Sequence, residues 1–477
     1  MAVQQLIKIN LPGGFVSAGD LYEILLIASD AGAKTVRFGN RQQLFFYVDN
    51  DVVDDLTNGM LQANLDYETN NESYPNIVSS YVCDTVFNPE SWLKEGVYRD
   101  IIDLFDYRPN LKVNIADSGQ TFVQFFSGNF NFISSEVSNH WWLYVRFPKT
   151  NQFYCWPSLV YSEDIPVISK KAEEVIMSNP GLFYDQALID ERLFFDKVMQ
   201  GSGFQNQAPH GLLQLPDFRL PYYEGFNKYA GNKYWLGIYR RNELFNISFL
   251  KDVCQQCLKE RIGQIYITPW KSILIKGIEP TNRGNWGFIL DKYRLNIRHA
   301  ANELNWQIED LSDEGLALKQ QLVREFEEAD LRTYRLSFAI KTRAKSGLQG
   351  AIIIKKQDTG TFEILYTPNF NPNVKEYITH QIDVSQQSLG QELMQLCDRY
   401  YQLSANHQVP DAQGAEYAQE ACTEPHHLYQ CKHCKTIYDS TYGDEESGIA
   451  PGMEFKNIEV YSCPVCSSDK HAFELVC

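Results

Sequence analysis

Two short stretches near the C-terminus, Cys431-Lys-His-Cys434 and Cys463-Pro-Val-Cys466, decide the fold of this part of the chain. Each is a Cys-x-x-Cys knuckle, and 28 residues separate the two knuckles. Two such knuckles can place four thiolates around one tetrahedral metal ion, and sites of this kind hold zinc or iron. The spacer is longer than the roughly 15–20 residues usual between the knuckles of a zinc site, but spacing alone does not choose the metal.

The residues around the knuckles carry more information than the spacing. They are Tyr429, Gln430, Tyr438, Asp439, Gly443, Asp444, Gly448, Pro451, Gly452, Phe455, Lys470, Phe473 and Glu474. With them, residues 428–477 closely resemble rubredoxin, a one-electron carrier with a mononuclear iron centre. The resemblance implies that Cys431, Cys434, Cys463 and Cys466 all bind iron. The alternative is a structural zinc ribbon with the same four ligands.

Three positions depart from the rubredoxin pattern without removing a ligand. Lys435 and Ser467 follow the knuckles where rubredoxins usually carry glycine, which permits a left-handed backbone. Tyr461 stands where a tryptophan usually precedes the second knuckle. Hydrogen bonds to sulfur and solvent exposure set the potential of such a centre, so we expect these changes to act on the potential.

The composition excludes several classes of protein. Of the 477 residues, 44% are hydrophobic and 13% aromatic, which is enough for sizeable cores. No stretch approaches the roughly 18–20 apolar residues of a membrane span. The N-terminus lacks a basic segment followed by a long apolar one, so we expect a cytoplasmic protein. A net charge of −17 argues against a nucleic-acid binder, because a phosphate backbone rewards clustered lysine and arginine.

The pattern of the chain changes between residues 404 and 427. This stretch has little apolar periodicity and contains Pro410 and Gly414, which predicts a linker. About 24 flexible residues span roughly 25–30 Å, so the metal module would be able to reach a separate partner. Three residues near its end, Cys422, His426 and His427, fit an exposed polar linker better than a second metal site.

An internal repeat with an offset of 229 residues precedes the linker. A helical stretch at 21–28 and a strand region at 35–46 recur at 250–257 and 265–275. Both strand regions alternate apolar and polar residues, as half-buried strands do. The offset aligns Val36 with Ile265, Phe38 with Ile267, Leu44 with Ile273 and Phe46 with Ile275.

The repeat resembles the duplicated architecture of the nitrite and sulfite reductase family. In that family each half begins with a ferredoxin-like unit and continues into a larger α+β unit that cradles sirohaem. The segments that carry the resemblance are 37–43, 267–279, 108–114 and 334–338. It implies an α+β fold with two reductase-like halves, at residues 1–215 and 216–403, followed by the linker at 404–427 and the rubredoxin-like domain at 428–477.

The cysteines that hold the family's iron–sulfur cluster are missing. No cysteine occurs between Cys257 and Cys397, so neither the cluster nor its bridge to sirohaem has ligands. We therefore expect a body that has lost reductase chemistry and does not carry sirohaem. By resemblance, Arg37, Arg41 and Lys271 are candidates to hold the carboxylates of a tetrapyrrole. The alternative is that these three residues are solvated charges at strand ends.

Cys254 and Cys257 form a third Cys-x-x-Cys, which the repeat assigns to packing. The offset aligns them with Leu25 and Ala28 on the apolar face of a helix. Residues three apart share a helix face, and a cysteine that is not a ligand behaves as a small hydrophobe. Two further cysteines, Cys155 and Cys397, are also expected to pack in the interior.

These observations favour a non-catalytic electron-transfer protein. Its redox partner would be a separate protein, such as a nitrate or nitrite reductase, with neither nucleic acid nor membrane involved. Residues 428–477 carry four lysines and eight acidic residues, which suits a partner with a basic docking surface. The alternatives are a sirohaem-binding or assembly protein with a structural zinc knuckle, and a working reductase with a different cofactor.

Overall fold

The computed structural model of the chain describes residues 4–88, 91–150, 152–201, 203–204, 206–209, 211–344, 346–374, 376–406, 428–433, 436–440, 443–444, 447, 449–450, 452–458, 460–463 and 468–475. The chain divides into two compact units, Met1–Tyr401, here called the body, and Gln402–Cys477. None of the described helices is long and apolar enough to cross a membrane.

The first half of the body contains a run of short strands and amphipathic helices. In chain order they are β1 (Gln4–Ile9), β2 (Phe15–Ser17), α1 (Ala18–Asp30), β3 (Thr35–Phe38), β4 (Leu44–Asp49), α2 (Val53–Gln62), β5 (Glu68–Thr69), β6 (Val78–Ser79), α3 (Glu95–Asp103), β7 (Val113–Ala116), β8 (Phe130–Ser134), β9 (His140–Arg146), β10 (Phe153–Cys155), β11 (Leu159–Tyr161), α4 (Ile165–Ser178), α5 (Pro180–Phe183), α6 (Glu191–Met199) and β12 (Asn206–Gln207).

The second half and the C-terminal unit continue the numbering. They contain β13 (Gly225–Tyr229), β14 (Lys233–Ile238), β15 (Phe245–Asn246), α7 (Ile247–Glu260), β16 (Gln264–Ile267), β17 (Ile273–Ile278), α8 (Arg283–Lys292), α9 (Ala301–Leu304), β18 (Trp306–Ile308), α10 (Asp313–Glu328), β19 (Phe338–Lys341), β20 (Ile352–Lys356), β21 (Phe362–Tyr366), β22 (Ile378–Val384), α11 (Leu389–Asn406), β23 (Leu428–Cys431), β24 (Ile437–Asp439) and β25 (Phe473–Leu475).

The predicted internal repeat is confirmed element by element. Strands β1, β3 and β4 each have a counterpart of the same length 229 residues later, in β14, β16 and β17. Helices α1 and α7 begin at the same offset, and each has a side-chain N-cap at the equivalent position. Ser17 accepts a hydrogen bond from the amide of Asp20, and Asn246 accepts one from the amide of Phe249. Such caps satisfy amides that the first helical turn leaves unpaired.

Each ferredoxin-like unit lends a strand to the sheet of the other. Strand β15 of the second half pairs with β3, so that Phe245 lies opposite Val36. Strand β2 of the first half pairs with β16, so that Val16 lies opposite Ile265. The strand orders of the two sheets are β15-β3-β4-β1-β5 and β13-β14-β17-β16-β2. The two sheets therefore share one hydrophobic core with α1 and α7. This confirms the prediction of one pseudo-symmetric unit.

The larger unit of each half also repeats. In the first half, strands β6, β7 and β8 are parallel, and β9 runs antiparallel to β8. In the second half, strands β18, β19 and β20 are parallel, and β21 runs antiparallel to β20. The segments 108–114 and 334–338, which the sequence matched to each other, lead into the corresponding strands β7 and β19. Helices cover both sheets and complete their hydrophobic cores.

The cysteines of the body mostly follow the packing prediction. Cys254 and Cys257 are fully buried in the shared core beside Leu250, and Cys397 is also fully buried. The prediction for Cys155 is wrong, because its side chain is exposed. Cys155 ends β10, a short strand that pairs with β9 and, among the described strands, with no other. The alternation of the strand turns Tyr154 inward and Cys155 outward.

The predicted linker lies almost entirely outside the described residues. Helix α11 extends to Asn406, so the first three residues of the predicted linker are helical. Residues 407–427, including Cys422, His426 and His427, are not among the described residues. The boundaries assigned to the linker and to the two halves remain predictions.

Shortening a side chain that is buried in the shared core should destabilise the body. Leu25 of α1 is fully buried in this core, whereas Leu258 of α7 is about half exposed. Leu25→Ala should lower the free energy of unfolding of the body by about 2–5 kcal/mol, because a buried leucine loses its contacts and leaves a cavity. Leu258→Ala serves as the control and should cost less than about 0.5 kcal/mol. Denaturant unfolding followed by tryptophan fluorescence measures both; equal losses would contradict the shared core.

Candidate metal centre and a cation cavity

The first knuckle is the turn of a β-hairpin. Strand β23 ends at Cys431 and pairs with β24 on one side and β25 on the other, forming a three-stranded sheet. Gln430 lies opposite Ile437, which places the knuckle at the tip of the β23–β24 hairpin. The amide of Cys431 donates a hydrogen bond of 2.8 Å to the carbonyl of Thr436. This bond closes the turn across the knuckle.

The first cysteine of the second knuckle makes the same kind of hydrogen bond. The amide of Cys463 donates a hydrogen bond of 2.8 Å to the carbonyl of Ser468, again five residues ahead. Ser462 and Asp469 flank it as an antiparallel bridge. Both first cysteines are buried, Cys431 completely and Cys463 to within 2%. Both of these cysteines belong to one hydrophobic cluster.

A cluster of aromatic rings forms the interior of this small unit. Phe455 stacks on Tyr429 with ring centres 4.5 Å apart and contacts Tyr438, Tyr461 and Phe473 at 5.0–5.3 Å. Tyr461, the predicted replacement for tryptophan, donates its hydroxyl hydrogen to Asp444 at 2.8 Å. Its ring takes part in the core while its polar end is satisfied, as buried tyrosines require.

The turn between the knuckles requires a glycine at one point. Gly443 has a φ of +67°, and a Cβ atom there would lie 2.4 Å from the carbonyl oxygen of Ile449. No other residue fits this position without moving the backbone. The turn carries Asp444, whose amide and carbonyl both bond to Ile449. A glycine at position 443, which is part of the resemblance to rubredoxin, is therefore required for steric reasons.

The described part of the metal site fits a four-thiolate centre. Buried cysteines at the starts of two equivalent knuckles are the arrangement that tetrahedral sulfur sites use. Cys434 and Cys466 lie outside the described residues, as do Lys435 and Ser467. The ligand role of the four cysteines therefore remains a prediction, and so does the effect of the two substituted glycines.

Two of the three residues proposed to contact a tetrapyrrole pair with carboxylates of the chain. Arg37 points to Asp313 at 3.2 Å, and that carboxylate is largely exposed. Lys271 is buried and donates to both oxygens of Glu243, at 3.1 and 2.9 Å, and to the carbonyl of Glu309 at 3.1 Å. Both cations thus have carboxylate partners within the chain.

Arg41 differs from the other two residues in its surroundings. Its guanidinium donates to the carbonyls of Asn76 and Val113 and to the side-chain oxygen of Asn114, at 2.7–3.2 Å. No carboxylate pairs with it among the described residues. It lines a cavity of about 330 Å³ in the body. The tetrapyrrole role of the three residues stays a prediction, and only Arg41 lines this cavity.

Lys112 lines the same cavity, and sequence reasoning did not single it out as a site residue. Burial, followed by the charges of Arg41 and Arg146, lowers the pKa of Lys112 to about 8. Burial, followed by the charge of Arg146, lowers the pKa of Arg41 to about 9. The three cations come from separate strands and loops, so no local motif signals their proximity.

The geometry defines a class of protein: a duplicated α+β body joined to a small sheet-based cysteine module. Residues 428–473 match the Rubredoxin family. Among the relatives of this segment, a high molecular weight rubredoxin of Moorella thermoacetica is 42% identical over 64 residues, or 13% of this chain. A rubredoxin of Acinetobacter baylyi is 41% identical over 49 residues, or 10% of this chain. Rubredoxin-1 of Chlorobaculum tepidum is 41% identical over 46 residues, or 9% of this chain.

The match covers 27% of the Moorella protein, 91% of the Acinetobacter protein and 67% of the Chlorobaculum protein. Through its C-terminal segment the chain belongs to the rubredoxin family. The body is similar in structure to the Mycobacterium tuberculosis NirA protein, with a TM-score of 0.63 over 86% of this chain and 82% of that chain, at 14% identity. At this identity the match shows the fold alone. The predicted fold, a nitrite/sulfite reductase-like body followed by a rubredoxin domain, is confirmed.

The metal centre should fail when one knuckle loses a thiol. Cys463→Ser should abolish metal binding and unfold the C-terminal unit, because a domain of this size depends on its metal for stability. Cys155→Ser is the matched control, since Cys155 is an exposed cysteine of the body. Metal per chain by elemental analysis and amide exchange in the C-terminal unit measure the two effects. Full metal occupancy in Cys463→Ser would rule out this ligand.

Proposed function

We propose that the chain is a one-electron carrier whose redox centre is iron held by Cys431, Cys434, Cys463 and Cys466. The observation that carries this proposal is that Cys431 and Cys463 are both buried in a rubredoxin domain, and the amide of each donates a 2.8 Å hydrogen bond to the carbonyl five residues ahead. An iron ion held by four thiolates supplies one-electron chemistry and leaves no coordination position for a substrate.

The residues around the knuckles cover the buried side of this site. The ring cluster centred on Phe455 packs against both buried cysteines and excludes water from their inner side. The ammonium group of Lys470 donates hydrogen bonds to the backbone carbonyls of Lys456 and Ile458, in the segment that precedes the second knuckle. A site that moves little between oxidation states needs little reorganisation when an electron is transferred.

The body supports partner selection better than catalysis. Its cysteines at 83, 254, 257 and 397 are all buried, and burial raises the pKa of each thiol, to about 12 for Cys254 and Cys397. Cys83, the pair Cys254 and Cys257, and Cys397 lie in three separate hydrophobic cores, so they are not placed to bind one cluster together. We therefore propose that the electron leaves the chain for a separate protein.

The partner we propose is an enzyme of nitrate or nitrite assimilation in the cytoplasm. The fold of the body supports this choice by analogy, and the acidic C-terminal segment favours a basic docking surface. Asp469 and Glu474 are exposed in the C-terminal unit and contribute to this acidic surface. The part of the proposed linker that follows helix α11, from residue 407 to residue 427, would let this unit reach such a partner.

The test is electron delivery by the full-length chain. Chemically reduced protein is mixed with a purified nitrate or nitrite reductase, and the return of the iron–thiolate absorption is followed. We expect rapid reoxidation by at least one of these enzymes, and no signal from Cys463→Ser. Cys155→Ser should behave as the parent protein. A colourless protein with one zinc per chain would instead support the sirohaem-binding or assembly function.

The rate of this transfer should fall as salt rises. Charge attraction between an acidic carrier and a basic partner is screened beyond roughly 10 Å at 0.1 M salt. Raising the ionic strength from 0.01 to 0.3 M should therefore lower the second-order rate by about tenfold or more. A small uncharged oxidant is the control and should react at a constant rate. A rate with the enzyme that is independent of salt would contradict electrostatic docking.

A further inference from the structure

A second cavity of the body, of about 1080 Å³, lies beside helix α3 and is here called the α3 cavity. The C-terminal end of α3 and the residues that follow it contribute to the lining, as do β1 and the turn after it. Among the described lining residues, only Gly263 and Gln264 come from the second half. The volume is close to the upper end of the roughly 300–1,000 Å³ of small-molecule sites.

Two side-chain amides of the lining carry oxygen atoms without a hydrogen-bond partner. Asn76 is 1% exposed, and its amide nitrogen donates to the carbonyls of Leu11 and Arg41, both at 2.8 Å. The amide nitrogen of Asn10 donates to the carbonyl of Tyr74 at 2.8 Å. These bonds fix the orientation of both amides and leave both Oδ1 atoms buried and unpaired within the described residues. Buried polar atoms are normally paired, so a ligand that donates hydrogen bonds would complete this site.

Tyr107 adds a third unpaired polar group to the lining. Its ring stacks on Phe105 with the ring centres 5.8 Å apart, and its hydroxyl has no partner within the described part of the chain. Burial, followed by the charges of Glu173 and Asp106, raises the pKa of Tyr107. The hydroxyl therefore stays neutral and can accept a hydrogen bond from a bound cation.

The basic residues of the described lining are paired, whereas two of its acidic residues are not. Lys8, Arg99 and Arg108 each pair with a carboxylate of the chain. Asp20 and Asp103 also line the cavity, and neither pairs with a cation of the described residues. The charge that has no partner at this cavity is therefore negative.

Asp103 lies where a carboxylate is unfavourable for the helix that carries it. It is the last residue of α3, and the macrodipole places partial negative charge at this end of a helix. Ile102 and Asp103 both line the cavity, so the C-terminal end of α3 faces it. A cation bound there would interact favourably with the carboxylate and with the helix end together.

An apolar surface separates these polar groups. Its residues include Phe15, Leu65, Tyr67, Tyr74, Ile102 and Phe105. Aromatic faces attract cations, as the guanidinium of Arg108 over the ring of Tyr74 at 5.8 Å shows. A metal ion would use the oxygen atoms alone and would leave this apolar surface without a partner.

We propose that the α3 cavity binds an organic cation of the polyamine class. Its ammonium groups would donate to the amide oxygens of Asn10 and Asn76 and pair with Asp103. Its methylene segments would lie against the apolar surface between them. Hydrogen bonds from a charged donor are among the strongest that proteins make. This inference does not depend on the proposed electron transfer.

The test uses the full-length chain, with spermidine as the probe. Spermidine is titrated at constant ionic strength against a background of sodium chloride, and both the heat of binding and the unfolding temperature of the body are recorded. A ligand that binds only the folded state raises the unfolding temperature. We expect saturable binding of one spermidine per chain and a higher unfolding temperature.

A pair of variants on α3 locates the binding site. Asp103→Asn should weaken spermidine binding by about threefold to tenfold, because a charge-assisted contact is lost at an exposed position. Asp100→Asn is the matched control, since Asp100 is exposed on the same helix, loses the same charge and does not line the cavity. It should bind spermidine as the parent does.

Tyr107→Phe tests whether the unpaired polar groups contact the ligand. It should weaken spermidine binding by about threefold or more, since one hydrogen bond to a charged group is lost. The spermidine-free variant should unfold at the temperature of the parent or above it, because the hydroxyl has no partner to lose. A hydroxyl with a merely structural role would instead lower this temperature when removed.

Two further ligands test the chemistry of recognition. Choline is a cation without N–H donors, so it should bind about tenfold more weakly than spermidine. Tighter binding of putrescine than of spermidine identifies a diamine as the ligand, and the reverse order identifies a longer polyamine. The proposal is overturned if spermidine stabilises the parent no more than sodium chloride does or if choline binds as tightly as spermidine. It is also overturned if Asp100→Asn weakens binding as much as Asp103→Asn, or if Tyr107→Phe lowers the spermidine-free unfolding temperature.

Discussion

The exchange of strands between the two ferredoxin-like units is the constraint on which the rest of the body depends. β15 completes the first sheet and β2 completes the second, so neither half can close its own sheet alone. The apolar faces of both sheets and of α1 and α7 then form one core. Because this core fixes the two halves against each other, the larger sheets that follow meet at a defined boundary, where the cation cavity lies.

The C-terminal unit is built on a different principle. It is too small to bury much apolar surface, and its aromatic cluster is centred on one residue, Phe455. The metal ion proposed for its four cysteines would supply the stability that so small a core lacks. In the proposed account, the stability and the redox chemistry of this unit rest on the same four cysteine ligands.

Local patterns in the sequence predicted a large part of this structure. The 229-residue repeat was visible because strand alternation and helix periodicity are local properties, and the knuckles because their ligands are close in sequence. Strand exchange could not be predicted, since pairing partners such as Val16 and Ile265 are far apart in the chain. The cluster of Arg41, Lys112 and Arg146 was missed for the same reason. Cys155 was wrongly predicted to be buried, because the hydrophobicity of the residues around it does not show that its strand lies at the edge of a sheet.

The central claim is that the four C-terminal cysteines hold a redox-active iron ion. X-ray absorption of the full-length chain as purified tests it most directly, since it identifies both the metal and its ligands. The account predicts an iron edge, a shell of four sulfur atoms at about 2.3 Å and an edge shift on reduction by one electron per chain. A zinc edge, or an iron edge with oxygen or nitrogen in the first shell, would contradict it.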